Sequence, residues 1–236
     1  MAKKIRIGVS FSETKYANYP TWILDHRNDI EIVELSWEKQ NREELYTCQG
    51  LLLTGGIDIA PFFFQPKTTS YPNQPIGWNR LRDQFEIELF NMAQSVLLPV
   101  LGICRGLQLV NVALKGDLLI DIQAAGKQNH RAQEGIDHVH TVQLVKNTLL
   151  ATVSGIESGL VNSAHHQSID TVAAPLLVNC FAEEAVIEGI EWNDKEGRCP
   201  MLCVQWHPER IENKNSNPLS QNIKAWFLNE AANFLL

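Results

Sequence analysis

What this sequence has little of narrows it first. Positive charge is scarce: 20 Lys and Arg stand against 27 Asp and Glu, for a formal net charge of −7. No cluster of basic residues forms a stripe, which excludes the electrostatic footprint of a nucleic-acid binder and of a polybasic membrane contact. No segment is long and apolar enough to span a bilayer. The amino terminus, Met1-Ala2-Lys3-Lys4, resembles the start of a signal peptide, but the apolar stretch 5–9 is interrupted by Arg6 and Gly8 and reads as a first strand instead. Cysteine is sparse and odd in number: Cys48, Cys104, Cys180, Cys199 and Cys203 make no disulfide framework. Cys199 and Cys203 lack the second ligand pair that a zinc site needs. Free thiols imply a reducing cytoplasm. Internal repeats, low-complexity tracts and linkers are absent too, so residues 1–236 are expected to form one domain.

What is present is an alternation of strands and helices. Short apolar runs at 5–10, 30–35, 51–53 and 100–103 read as buried strands. Between the last two, Leu81, Phe85, Leu89, Met92 and Val96 recur at helical spacing and predict a helix over 79–96. Residues 106–114 read as a helix directly after the strand at 100–103. This order implies a parallel sheet covered on both faces. The second half is richer in strands, at 138–145, 176–181, 186–192 and 201–206, several of them antiparallel. A last helix over 218–234 would bury Leu219, Ile223, Trp226, Phe227 and Phe234. Residues 61–77 differ: Pro61, Pro66, Pro72 and Pro75 with Phe62-Phe63-Phe64 predict a long irregular segment that walls or lids a site.

Four segments carry chemistry. Gly102-Ile103-Cys104-Arg105-Gly106 lies between a strand and a helix and has the nucleophile-elbow pattern, in which flanking glycines admit a sharp turn. The nucleophile then stands at the carboxyl end of the sheet, where the helix amino end favours a thiolate. A lone cysteine would read as a buried structural thiol; this frame makes Cys104 the candidate nucleophile. Gln205-Trp206-His207-Pro208-Glu209 ends a strand, and there His207 would take the thiol proton and return it to a leaving amine while Glu209 orients the imidazole. Thr54-Gly55-Gly56-Ile57-Asp58 can point backbone N–H groups into a cleft, and the N–H groups of Gly56 and Arg105 are the candidate oxyanion donors. Val161-Asn162-Ser163-Ala164-His165-His166-Gln167 reads as a substrate-facing loop. No acidic residue flanks its two histidines, and His138 and His140 alternate along a strand, so these and His130 are expected to be core-edge or solvated histidines rather than metal ligands.

Together GGIDIAP, LGICRGLQLVNVAL, VNSAHHQ and VQWHPE resemble the class I glutamine amidotransferase-like superfamily, and within it the gamma-glutamyl hydrolase (gamma-glutamyl-gamma-aminobutyrate hydrolase) branch. The resemblance runs in order from Gly8 to Glu209. It implies a three-layer α/β sandwich of flavodoxin-like character and a triad of Cys104, His207 and Glu209. Gly56 and Arg105 match the oxyanion positions. Gln108 matches a residue that helps to hold the glutamyl group, and Ser163, His165 and His166 fall in a loop that contacts it. Lys115-Gly116, Asp117 to Asp121 and Glu184-Ala185 depart from the branch's pattern; all lie outside the triad and bear on substrate rather than on hydrolysis.

The resemblance implies a hydrolase that cleaves the gamma-glutamyl amide of a small molecule through a thioester, with no cofactor and no metal. A glutaminase subunit that delivers ammonia to a separate synthase would use the same triad, and a non-enzymatic binding module is a third reading. A homodimer is the base-rate expectation for a soluble enzyme.

Overall fold

Apolar runs and their caps set the elements of the computed structural model, which describes residues 4–65, 67–68 and 70–235. Met1, Ala2 and Lys3 of the signal-like start, and Pro66 of the proline-rich segment, lie outside the described residues. In chain order the elements are β1 (Ile5–Ser10), α1 (Asn18–Leu24), β2 (Ile30–Leu35), β3 (Gly50–Leu53), α2 (Arg80–Ser95), β4 (Val100–Ile103), α3 (Arg105–Ala113), β5 (Leu118–Leu119), β6 (His138–Leu144), α4 (Leu149–Ser154), β7 (Ser158–Ser163), β8 (Ser168–Ile169), β9 (Leu176–Ala182), β10 (Ile187–Trp192), β11 (Met201–Val204) and α5 (Pro218–Asn233).

One nine-stranded sheet has the order β2-β1-β3-β4-β11-β10-β9-β6-β7. The first five strands are parallel to their neighbours, and from β11 onward each pairing is antiparallel. A second sheet pairs β5 with β8. Side chains alternate across the large sheet. Leu51, Leu53, Val100, Met201 and Cys203 face one core with Phe85 and Leu89 of α2 and Leu107 and Val110 of α3. Leu52, Leu101, Ile103, Leu202 and Val204 face the other, with Trp22 and Ile23 of α1, Leu150 of α4, and Leu219, Ile223 and Phe227 of α5. Helices on both faces make the α/β architecture three-layered, and burial on both faces explains why the parallel strands read as continuous apolar runs.

Strands at 5–10, 30–35 and 100–103 coincide with expectation. The strand expected over 201–206 stops at Val204, and part of the segment expected as a loop, Val161 to Ser163, belongs to β7. The helix expected over 79–96 is present, capped by the Asn79 side chain accepting from the Arg82 N–H at 3.0 Å. Its buried face, however, is turned: Leu81 and Val96 are exposed, and Arg82, Asp83 and Glu86 are buried beside Phe85, Leu89 and Phe90. A charged partner on α3, described below, draws those residues inward. In α5, Trp226 and Phe234 are only partly buried. The short α1 and α4 were not anticipated, because six or seven residues hold too little helical periodicity to read.

Candidate active site

The parallel strands deliver the site. β4 ends at Ile103, and Cys104 turns the chain into α3 with φ 53° and ψ −104°. A non-glycine residue at positive φ carries backbone strain that the surroundings must hold. They hold it by close approach: a Cβ on Gly106 would sit 2.3 Å from the Leu53 carbonyl oxygen, and one on Gly102 would sit 2.7 Å from Cys203 Sγ. No larger residue fits either place, so the two glycines of the elbow are required by packing. Cys104 is buried, only 6% exposed.

β11 delivers the imidazole. Trp206 is buried and donates its indole N–H to the Leu219 carbonyl at 3.0 Å, which pins the turn after the strand against α5. His207 follows. Its backbone N–H donates to Asn162 Oδ1 on β7 at 3.2 Å, and its ring Nδ1 lies 2.9 Å from Glu209 Oε1. With Nδ1 donating to the carboxylate, Nε2 is left for the thiol. A Cβ on Gly55 would fall 3.0 Å from His207 Cε1 and 3.5 Å from Cys104 Cβ, so the bare glycine marks where ring and thiol converge. Burial alone would lower the pKa of His207. The Glu209 carboxylate, the negative charge of a Cys104 thiolate and hydrogen bonds to both outweigh it and raise the value to about 9. Gln205 Nε2 approaches Cys104 Sγ at 3.5 Å from the other side.

The Gly55-Gly56 turn is braced from below. Its Gly55 N–H donates to Tyr19 Oη at 2.9 Å. Arg82 donates to the Gly55 carbonyl at 2.7 Å and to Thr54 Oγ1 at 3.2 Å, and a Cβ on Gly56 would strike Arg82 Nη1 at 2.3 Å. Arg82 also pairs with Glu86 at 3.0 Å, and Glu86 and Asp83 both bind the buried Arg105 guanidinium. One network with four buried charges, which Glu13 joins at Arg82 from the surface, therefore spans from the glycine turn to the residue after Cys104. The sequence singled out Arg105 and Gly56 for their backbone groups; the network joining them lay hidden because Arg82, Asp83 and Glu86 look like the solvated face of a helix.

The other expected site residues go to distinct places. Gln108 is buried, and its Nε2 donates to the Gln167 carbonyl at 3.1 Å and to Gln205 Oε1 at 3.2 Å, so it links α3 to both flanking segments. Ser163 Oγ donates to the His130 carbonyl at 2.6 Å. His166 lies between Asp58, 2.9 Å from its Nε2, and Asp121, 3.3 Å from its Nδ1. Tyr71 stacks on the His166 ring and donates to Asp58 Oδ2 at 2.8 Å, while Asn73 donates to Asp121 Oδ2 at 2.7 Å. The proline-rich segment is thus latched to the loop that carries His166. His165 turns the opposite way, into a buried group with His130, His140 and Glu188. Glu188 went unnoticed in the sequence because it sits in a strand that reads as core.

Comparison with known proteins gives the family and the fold. The family model described as Peptidase C26 matches residues 31–209. Protein NtpR of Enterococcus hirae is 33% identical over 186 residues, covering 76% of this chain and 74% of the relative. A Mycobacterium tuberculosis protein provisionally named a glutamine amidotransferase, Rv2859c, is 38% identical over 169 residues; the match covers 70% of this chain and only 52% of that longer protein. A gamma-glutamyl-CDP-amidate hydrolase of Campylobacter jejuni is 24% identical over 82% of this chain and 76% of its own length. In structure, the glutaminase domain of a Trypanosoma brucei CTPS, solved with acivicin bound, superposes with a TM-score of 0.68 over 99% of this chain and 96% of that one, at 14% identity, which is a likeness of fold. Among the described residues no helix is long and apolar enough to cross a membrane.

Proposed function

This chain belongs to the Peptidase C26 family, within the class I glutamine amidotransferase-like superfamily, and from that premise we propose that it hydrolyses the gamma-glutamyl amide of a small metabolite through a thioester on Cys104. One observation carries the reading. A cysteine on a strained elbow meets a buried histidine whose far nitrogen is held by a carboxylate at 2.9 Å.

In this reaction His207 Nε2 takes the thiol proton and the thiolate attacks the amide carbonyl carbon. The N–H groups of Gly56 and Arg105 would receive the oxyanion; the Gly55 N–H is already engaged by Tyr19. The imidazolium then gives its proton to the leaving amine, and a thioester remains. His207 next takes a proton from water as the water attacks the thioester, releasing glutamate and the free thiol. Amide plus water becomes glutamate plus amine, with nothing else consumed. Gln108 and the 163–167 segment would hold the glutamyl part. The amine part would extend toward the latched aromatic segment, where a cavity of about 380 Å³ is lined by Gln65, Tyr71, Pro72 and Asp121. The Campylobacter relative, named for a gamma-glutamyl substrate larger than glutamine, supports this direction. The name of the Mycobacterium relative favours a second reading, a glutaminase subunit serving a separate synthase.

Glutamate release by the isolated chain separates the two. A panel of gamma-glutamyl amines including glutamine, with Cys104→Ala as the blank, should show turnover of at least one amide bulkier than glutamine. Release from glutamine alone, rising when a synthase is added, would replace the hydrolase with the glutaminase. Near wild-type turnover in Cys104→Ala would remove the nucleophile assignment altogether.

A further inference from the structure

Three histidines from three distant segments close on one buried carboxylate. His130 comes from the loop before β6, His140 from β6 itself, His165 from the turn after β7, and Glu188 from β10. Glu188 Oε1 lies 3.4 Å from His130 Nδ1, 3.5 Å from His140 Nε2 and 3.3 Å from His165 Nε2. The ligand atoms of His130, His165 and Glu188 all fall within 4.8 Å of one another. Glu188 is fully buried, and His130 and His165 are nearly so. None of these four facing atoms has a hydrogen-bond partner among the described residues, and the second oxygen of Glu188 has none either.

Buried polar groups are normally satisfied, so five orphaned atoms gathered at one buried carboxylate need an explanation. A charged imidazolium on Glu188 would draw one nitrogen to roughly 2.7–2.9 Å. Instead all three stand off at nearly equal distances. For His130 and His165 that spacing from Glu188 suits ligands of one ion: zinc at about 2.0–2.2 Å from nitrogen and oxygen ligands puts the ligand atoms about 3.3–3.5 Å apart. The surroundings also prepare the ligands. His165 Nδ1 donates to the Gln167 carbonyl at 2.8 Å, so the nitrogen facing Glu188 carries the lone pair. The His130 backbone carbonyl accepts from both the His165 N–H at 3.1 Å and Ser163 Oγ at 2.6 Å, which fixes its loop on the same point.

We propose that His130, His165 and Glu188 form a buried binding site for one divalent ion of the zinc class, with His140 standing at its edge. Two imidazoles and one carboxylate suit zinc among the common divalent ions, and magnesium and calcium, which take oxygen ligands, do not suit it. The site's three ligands are all buried. Its ion clamps the loop before β6 and the 163–167 segment onto β10. The Gln205 N–H donates to the Glu188 carbonyl at 2.8 Å, and Gln205 touches Cys104. The ion therefore steadies the frame of the active site from behind without touching substrate. This inference is independent of which amide is hydrolysed.

The test uses the full chain as Cys104→Ser, which removes the thiol that would compete for metal beside His207. Chelator-treated protein is titrated with zinc and, separately, with cobalt(II). The expected result is one ion per chain, the intense visible bands of four-coordinate cobalt, and a rise in thermal midpoint on zinc addition. His130→Ala should weaken binding by more than the roughly 10–100-fold that loss of an outer partner costs. Should His130→Ala fail to fold, the cobalt spectrum of Cys104→Ser decides alone. Absence of bound metal after zinc addition, a six-coordinate cobalt spectrum, or binding by wild type that disappears in Cys104→Ser would each overturn the proposal.

Discussion

At the scale of single residues, the pairing of His207 with Glu209 makes the most direct prediction. The raised pKa of His207, about 9 against an ordinary 6.5, means that its proton is held through neutral pH. The sign follows for stability as well as for rate. A raised histidine pKa stabilises the fold fully below its unfolded value, and the contribution is lost as pH rises through the folded value. On the proposed mechanism, activity should therefore fall as pH rises through about 9, where the imidazolium that would protonate the leaving amine disappears. Glu209→Gln should lower kcat about 10²–10⁴-fold with KM little changed, and should move that alkaline limb to lower pH. A kinetic pH profile of the two proteins checks both statements; a rise in KM alone would make Glu209 a substrate contact. Cys104, His207 and Glu209 were all legible in the sequence because each sits in a motif of a few consecutive residues, GICRG and QWHPE.

At the scale of elements, α2 and the elbow depend on each other. Glu86 receives Arg82 and Arg105 together, and Arg82 in turn supports the Gly55 carbonyl. Removing one partner of a buried ionic group strands the other's charge. Glu86→Ala should destabilise the protein by about 3–5 kcal/mol, read from the shift of a denaturation midpoint. The turn after β3 should loosen with it, so the rate should fall even under conditions where the variant is folded. A surface helix with an exposed Glu86 would show neither effect. The positions of the helices were legible from spacing and caps, but the face that α2 buries was not. Helical periodicity marks where apolar residues gather; it does not tell which charged residues beside them find partners inside. Leu81 and Val96 ended outside for this reason.

At the scale of the whole molecule, α1 and α5 close together over one face of the sheet. Trp22 of α1 donates to Ser220 Oγ of α5 at 3.1 Å, and Lys224 pairs with Asp25 at 2.8 Å. Phe227 fills the space over Gly50 of β3, where a Cβ would lie 2.9 Å from the ring. Phe227→Ala leaves that space empty and should cost about 3–5 kcal/mol, measured by chemical denaturation, while the nucleophile's reactivity toward a thiol reagent in the folded protein stays unchanged. The sequence by itself determined the α/β alternation, the elbow, the histidine–glutamate pair and the glycine turn, because period, turn chemistry and short motifs are local. Only the tertiary structure decided that Arg82 and Glu86 join the glycine turn to the elbow, and that His130, His140 and His165 meet at Glu188. Those partners lie tens of residues apart in the chain, and contacts made by sheet order and layer packing leave no trace in any short stretch of sequence.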